Sequence, residues 1–214
     1  RRCAAERAGA SERLIGPMAK RLLDLLGAGL GLLLLAPLLV LVALAIRLDS
    51  PGPVFYRQVR VGQGGREFRI HKFRTMTHNP GDRGPQITVG GDARITRVGA
   101  WLRRSKLDEL AQLFDVLLGD MSLVGPRPEV PRYVALYPAA LREKILSVRP
   151  GITDFASIEF RDENDLLAGS ADPDRAYREE VLPRKLALLA RYVDAAGVAT
   201  DLTLIARTLA ALLK

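Results

Sequence analysis

The sequence predicts an α+β fold that is mainly helical, with a membrane-embedded helical segment and one small β-hairpin. Three observations predict it. Leu25 to Ile46, LLGAGLGLLLLAPLLVLVALAI, contains no charged side chain. On either side of Gly62–Gly65, apolar and polar residues alternate with the period of paired strands. From residue 94 onward, apolar residues recur at helical spacing.

Residues 1–19 are polar, Ala-rich and Arg-rich, and form a lead-in. They carry no sign of further membrane helices. The 22-residue apolar run reaches roughly 33 Å as a helix, enough for a bilayer core of about 30 Å. It is too long for a cleaved signal peptide, Arg47 follows it closely, and no small-residue cleavage site is evident. Pro37 sits near its middle, where it removes a helix hydrogen bond and leaves arms of about 15–18 Å. Arg13, Lys20 and Arg21 precede the run, and Arg47, Arg57 and Arg60 follow it, so the positive-inside tendency draws both ends to the cytoplasmic side. Two readings follow from these residues. One is a re-entrant hairpin over 20–47 broken at Pro37; the other is a kinked spanning helix. Labelling of cysteines placed at the two flanks separates them.

Residues 48–214 are expected to form one domain together with that segment. DSPGPVFYRQVRVG and GGREFRIHKFRTM form the hairpin, with Phe68, Ile70 and Lys72 on one face and Arg69, His71 and Phe73 on the other. THNPGDRGPQITVGGD, dense in Gly and Pro, reads as a loop. Ile95, Val98, Trp101 and Leu102 mark an amphipathic helix flanked by Arg94, Arg97, Arg103 and Arg104. Trp101 there fits a helix lying on anionic lipid, and equally a core-facing residue. A second helix is expected from Ser105 to Leu118, stopped by Gly119. GDMSLVGPRPEV is a rigid turn region, because Pro126 and Pro128 bracket Arg127. Helices follow over 129–147 and 173–193, then a docking or interfacial helix over 201–213, interrupted by Arg207.

Composition narrows the partners. The net charge of +8 points to nucleic acid, anionic lipid or phosphorylated small molecules. One cysteine, Cys3, excludes an intrachain disulfide, and with His71 and His78 leaves too few soft ligands for a closed zinc site. A hard cation such as Mg²⁺ remains open, because carboxylates can hold it. Few aromatics punctuate the basic stretches, which argues against base stacking and nucleic acid.

The chemistry concentrates in RRSKLDEL, residues 103–110. Ser105 followed by Asp108 resembles a capping box, with Asp108 bonding back to the Ser105 amide. Glu109 alone reads as a solvated first-turn acid. The same acid among arginines, near a helix start, should stay ionised at neutral pH, and an ionised carboxylate can ligate Mg²⁺ or attack phosphorus. Arg127 is likewise either a turn element or a rigidly held phosphate clamp. Lys72 and Arg74 would point to one face of a strand.

In order along the chain, KRLLDL, the Pro-split apolar run, DSPGPVFYRQVRVGQGGREFRIHKFRTM, DARITRVGAWLRRSKLDELAQLFDVLLGDMSLVGPRP and RPGIT resemble the small monotopic bacterial phosphoglycosyl transferases, or bacterial sugar transferases. The resemblance covers about Lys20 to Thr153, and the tail matches more loosely. It implies a single-domain enzyme on the cytoplasmic face of the bacterial inner membrane, held by a re-entrant helix and interfacial helices. It also implies transfer of a sugar phosphate from a UDP-sugar to undecaprenyl phosphate, with Mg²⁺, at the first membrane step of a glycoconjugate pathway. Downstream glycosyltransferases are then conceivable partners.

By the same resemblance Asp108 is the nucleophile, with Glu109 beside it for Mg²⁺ or proton handling, and both are metal-ligand candidates. Arg103, Arg127, Lys72, Arg74 and, more weakly, Arg161 are carried over as phosphate-binding residues. Four departures stand out: Ala36 where the family often has Ser, Lys106 for a small hydroxyl residue, Ala111 for Pro, and Asp154–Ile158, DFASI, for Gly-x-Ala-Gln-Val. The competing reading is a noncatalytic, membrane-anchored basic module that binds anionic lipid or nucleic acid. It explains the charge but gives no reason for two adjacent acids among the cations.

Overall fold

The computed structural model describes residues 2–78 and 92–212; the loop expected over 77–92 lies mostly outside them. Helix α1 (Arg2–Asp49) takes in the lead-in and runs as one α-helix through Pro37. The break expected there is therefore absent from the secondary structure. A proline costs the helix one donor, and here the turns on both sides of it are held by packing. Ala28, Leu32 and Leu35 lie against Ile70, Leu113, Val116 and Met121. Leu38, Leu39, Val42 and Ile46 lie against Phe73, Leu102 and Ala111. The opposite face of α1, including Leu26, Leu30, Leu33, Leu41 and Leu44, is exposed. Met18–Asp49 is long and apolar enough to cross a membrane by length and composition.

Polar bonds fasten the start of that apolar stretch. Lys20 Nζ donates to Asp201 Oδ2 at 2.5 Å and to the Val124 carbonyl at 2.9 Å. Asp24 accepts from the Ser122 hydroxyl and the Leu123 amide, both at 2.9 Å. Such buried groups need partners, so their pairing fixes where α1 docks.

The hairpin forms as expected. Strands β1 (Phe55–Val61) and β2 (Glu67–Phe73) pair antiparallel, from Phe55 opposite Phe73 to Val61 opposite Glu67. Gly64 and Gly65 make the turn at φ 67° and 81°, a region open to glycine at no steric cost. Helix α2 (Arg97–Arg104) is capped by Thr96, whose hydroxyl accepts the Gly99 amide. Leu102 is fully buried while Trp101 is 49% exposed, so the core-facing reading of Trp101 is wrong. Helix α3 (Gln112–Leu118) ends on Gly119 at φ 92°, as expected.

Strand β3 (Ser122–Val124) pairs in parallel with β4 (Gly151–Thr153); β3 lies in the segment read from sequence as a turn region, and neither strand was expected. Three-residue strands are too short to show a period. The helix expected over 129–147 is two, α4 (Pro131–Val134) and α5 (Ala139–Leu146), parted at Pro138. Two helices that sequence reading missed follow, α6 (Phe155–Glu159) and α7 (Glu163–Ala168). Helix α8 (Pro173–Ala176) continues through a π-turn into α9 (Leu182–Ala195), matching the expected 173–193 helix. Helix α10 (Val198–Leu212) is the last element among the described residues. Tyr133, Tyr177, Val181, Leu186 and Leu189 make the core beneath α4–α9.

Candidate active site

Asp108 and Glu109 do not begin a helix. They lie on a single 3₁₀ turn, Leu107–Glu109, between α2 and α3. Ser105 closes α2 instead of capping α3, because its hydroxyl donates back to the Trp101 and Leu102 carbonyls at 2.9 and 3.2 Å. Lys106 then takes left-handed backbone, φ 57° and ψ 16°, which ends α2 and redirects the chain. The capping-box reading of Ser105 and Asp108 is therefore corrected.

The two acids have opposite surroundings. Glu109 Oε1 accepts from Lys72 Nζ at 2.8 Å, and Oε2 accepts from Arg127 at 2.9 Å. A second Arg127 nitrogen reaches Oε1, so the guanidinium grips Glu109 with both prongs. Burial pushes the Glu109 carboxyl up, but Arg127 and Lys72 outweigh it and hold the group well below its ordinary value. Burial lowers the Lys72 ammonium despite Glu109, while the Glu109 charge raises Arg127.

Asp108 makes no hydrogen bond or ion pair among the described residues, yet lies within charge reach of Lys72, Arg103 and Arg127. Burial and the neighbouring Glu109 raise its carboxyl above the ordinary value, against the pull of those cations. The direction is opposite to the one expected from helix dipole and arginines, because there is no helix start here and burial dominates. Arg103 is held by its Nε, which donates to the Thr75 hydroxyl at 2.8 Å.

Arg127 is set by its backbone. Its amide donates to Asp154 Oδ2 at 3.0 Å, and Asp154 Oδ1 caps α6 through the Ser157 amide at 2.6 Å. Gly151 lets this wall close: a Cβ there would stand 2.0 Å from the Gly125 nitrogen. The atypical DFASI segment thus opens with a fully buried acid that fixes the backbone of Arg127. Sequence reading missed that role. An Asp ahead of a short helical stretch is the available signal.

Two of the expected phosphate ligands are elsewhere. Strand β2 ends at Phe73, so Arg74 does not continue the alternation with Lys72. It is buried and donates to the carbonyls of Pro51 at 2.6 Å, Ser50 at 2.7 Å and Ile46 at 3.3 Å, closing the C-terminus of α1. Arg161 donates to the Ala211 carbonyl of α10. Arg74→Met is therefore expected to lower stability by about 3 kcal/mol, the scale of lost charge-assisted bonds plus orphaned carbonyls. KM for a phosphorylated substrate should be unchanged, and a rise in KM at constant Tm would return Arg74 to the site.

Among the described residues, no group of three or more His, Cys, Asp and Glu side chains could hold a metal. Of the two expected Mg²⁺ ligands, Glu109 has both oxygens engaged by cations, and Asp108 has both free. A hard cation would thus rely on Asp108 and on oxygens of a bound phosphate, the usual manner for Mg²⁺.

The family model for bacterial sugar transferases matches residues 15–214. A UDP-glucose:undecaprenyl-phosphate glucose-1-phosphate transferase of Caulobacter vibrioides is 40% identical over 209 residues, 96% of this chain and 73% of that protein. A UDP-N-acetylgalactosamine-undecaprenyl-phosphate N-acetylgalactosaminephosphotransferase of Aeromonas hydrophila is 46% identical over 143 residues, 65% of this chain and 33% of that protein. A glucose-1-phosphate transferase of the first kind from Escherichia coli is 42% identical over 156 residues, 72% of this chain and 34% of its own length. The chain thus spans about a third of the Aeromonas and Escherichia proteins.

Proposed function

This chain belongs to the bacterial sugar transferase family, and from that premise we propose that it moves a sugar-1-phosphate from a UDP-sugar to undecaprenyl phosphate through a covalent intermediate on Asp108. The observation that carries the reading is the contrast between the acids: Glu109 is locked by Lys72 and Arg127, and Asp108 is unpaired beside them.

An Asp108 oxygen attacks the sugar-bearing β-phosphorus. The bond from that phosphorus to the bridging oxygen breaks, its electron pair leaves with UMP, and an aspartyl-phosphosugar remains. An oxygen of the lipid phosphate then attacks the same phosphorus and displaces Asp108, giving undecaprenyl-diphosphate-sugar. Carboxylate and phosphates repel one another, so Arg127, Lys72 and Arg103 supply countercharge as the phosphates approach. A Mg²⁺ ion bound to Asp108 and the diphosphate would add countercharge of the same kind.

The membrane placement we propose is monotopic, on the cytoplasmic face of the inner membrane. Support comes from α1, whose apolar turns before and after Pro37 both pack on one body and expose the other face. A helix threading the bilayer would have that body inside the membrane with it.

The test uses UDP-sugars labelled in the β-phosphate, without lipid acceptor. A burst of UMP matching the enzyme, with label on the protein that undecaprenyl phosphate discharges, is expected. UMP released only with acceptor, and never any labelled protein, would replace the covalent route with direct transfer. The pH profile is a second check. Asp108 must be ionised to attack, and its carboxyl is raised by burial, so the acid limb of kcat/KM should fall at higher pH than an ordinary Asp would give. A profile flat down to about pH 4 contradicts this assignment.

A further inference from the structure

Two polar bridges join the turn carrying the acids to the wall formed by Arg127, α6 and α7. One is the Arg127–Glu109 fork. The other is Lys106, whose Nζ donates to the Arg161 carbonyl at 3.0 Å. Arg161 lies between α6 and α7, and its guanidinium holds the Ala211 carbonyl of α10, so the anchor point is itself fastened.

Lys106 has a second distinction. Among the described residues it alone, apart from glycines, has positive φ. Left-handed backbone costs a residue with a Cβ about 1–2 kcal/mol and persists only where its surroundings impose it. Here the Lys106 amide donates to Arg103 and its carbonyl accepts the Glu109 amide, both at 3.3 Å. The ammonium adds the bond to the Arg161 carbonyl. Asp108 follows two residues later, so the direction of this turn is the direction of the nucleophile.

The bridges differ in what substrate does to them. On the proposed reaction, on which this inference rests, the diphosphate takes the Arg127 prongs that Glu109 now occupies. The first bridge then opens. The second ends on a main-chain carbonyl of the wall itself and has no need to open. We infer that Lys106 is a positioning residue: its strap from the left-handed turn to the Arg161 carbonyl holds Asp108 against the Arg127 wall while Arg127 is engaged by phosphate.

Lys106→Gly separates the two properties, because glycine takes φ 57° without steric cost but has no ammonium. Lys106→Arg restores a long donor. In the transfer assay, Lys106→Gly should lose kcat on the order of 10- to 100-fold, the scale of a misplaced reacting group, with KM for the UDP-sugar within about threefold. Lys106→Arg should recover most of the loss. A wild-type kcat in the glycine variant overturns the inference. So does a raised KM at unchanged kcat, which would make Lys106 a substrate ligand.

Hydrogen exchange, with UDP as the added probe, reads the strap without any reaction. Amides of Leu107–Leu110 should exchange about tenfold faster in Lys106→Gly than in the wild type, and Lys106→Arg should restore protection. Equal exchange in wild type and glycine variant overturns the strap. If the wild-type chain transfers no sugar phosphate, the proposed reaction fails while exchange still decides on Lys106.

Discussion

Asp108→Asn is expected to abolish sugar-phosphate transfer and, at the same time, to raise the melting temperature. Losing an attacking carboxylate should cost on the order of 10⁴-fold or more in kcat, because the amide has no comparable nucleophile and the remaining cations only bind. The stability gain follows from the direction of the pKa. Burial raises the Asp108 carboxyl in the folded chain above its unfolded value. Between those two pKa values the folded state binds more protons, so stability falls as pH rises through that window and the deficit is complete above it. At neutral pH an uncharged isostere removes the deficit, a gain on the order of 1 kcal/mol. Such a gain in a dead variant would mark Asp108 as a group kept for chemistry against the interest of folding. Retained transfer would refute the covalent route, and an inactive variant with a lowered Tm would point to a structural acid.

Glu109→Gln should behave in the opposite sense. Its carboxyl is held well below the ordinary value, so the stability it contributes is present above the unfolded pKa near 4.5 and lost as pH falls through the folded one. Glutamine deprives half-buried Arg127 and Lys72 of the carboxylate they are hydrogen-bonded to, and breaking such a pair costs about 3 kcal/mol. The two cations are then an empty phosphate clamp. UDP should raise the Tm of Glu109→Gln by more than it raises that of the wild type, because in the wild type the ligand must first displace Glu109. KM for the UDP-sugar should fall along with kcat. An equal or smaller UDP shift in the variant would mean that Glu109 and phosphate do not compete for Arg127.

Much of this was legible in the residues. The hairpin around Gly64–Gly65, the stop at Gly119 and the apolar run announced themselves by period and turn chemistry. The acids and Arg127 were legible as a set. Three things were not. Ser105 was misread because a serine ahead of an acid suits a cap, and only the left-handed Lys106 shows that α2 is closing there. Arg74 was misplaced because strand alternation was carried one residue past the end of β2. Asp154 was seen only as a departure, since its link to Arg127 spans 27 residues and depends on the short parallel pair β3–β4. Each miss concerns a bond between distant segments or a backbone angle, and neither has a local periodic signature.

The docking of α1 has a bearing on how such a protein can be handled. Its apolar residues are one wall of the core that carries the hairpin and the acids, and Lys20 and Asp24 are fastened to α10 and β3. The segment is therefore not a tether from which a soluble enzyme could be cut. Deleting it, or exchanging it for a generic anchor, would strip Leu113, Phe73 and Leu102 of their cover. Handling the protein must keep α1 in place and shield its exposed outer face, because the inner face of the same helix covers the core on which the hairpin and the acids rest.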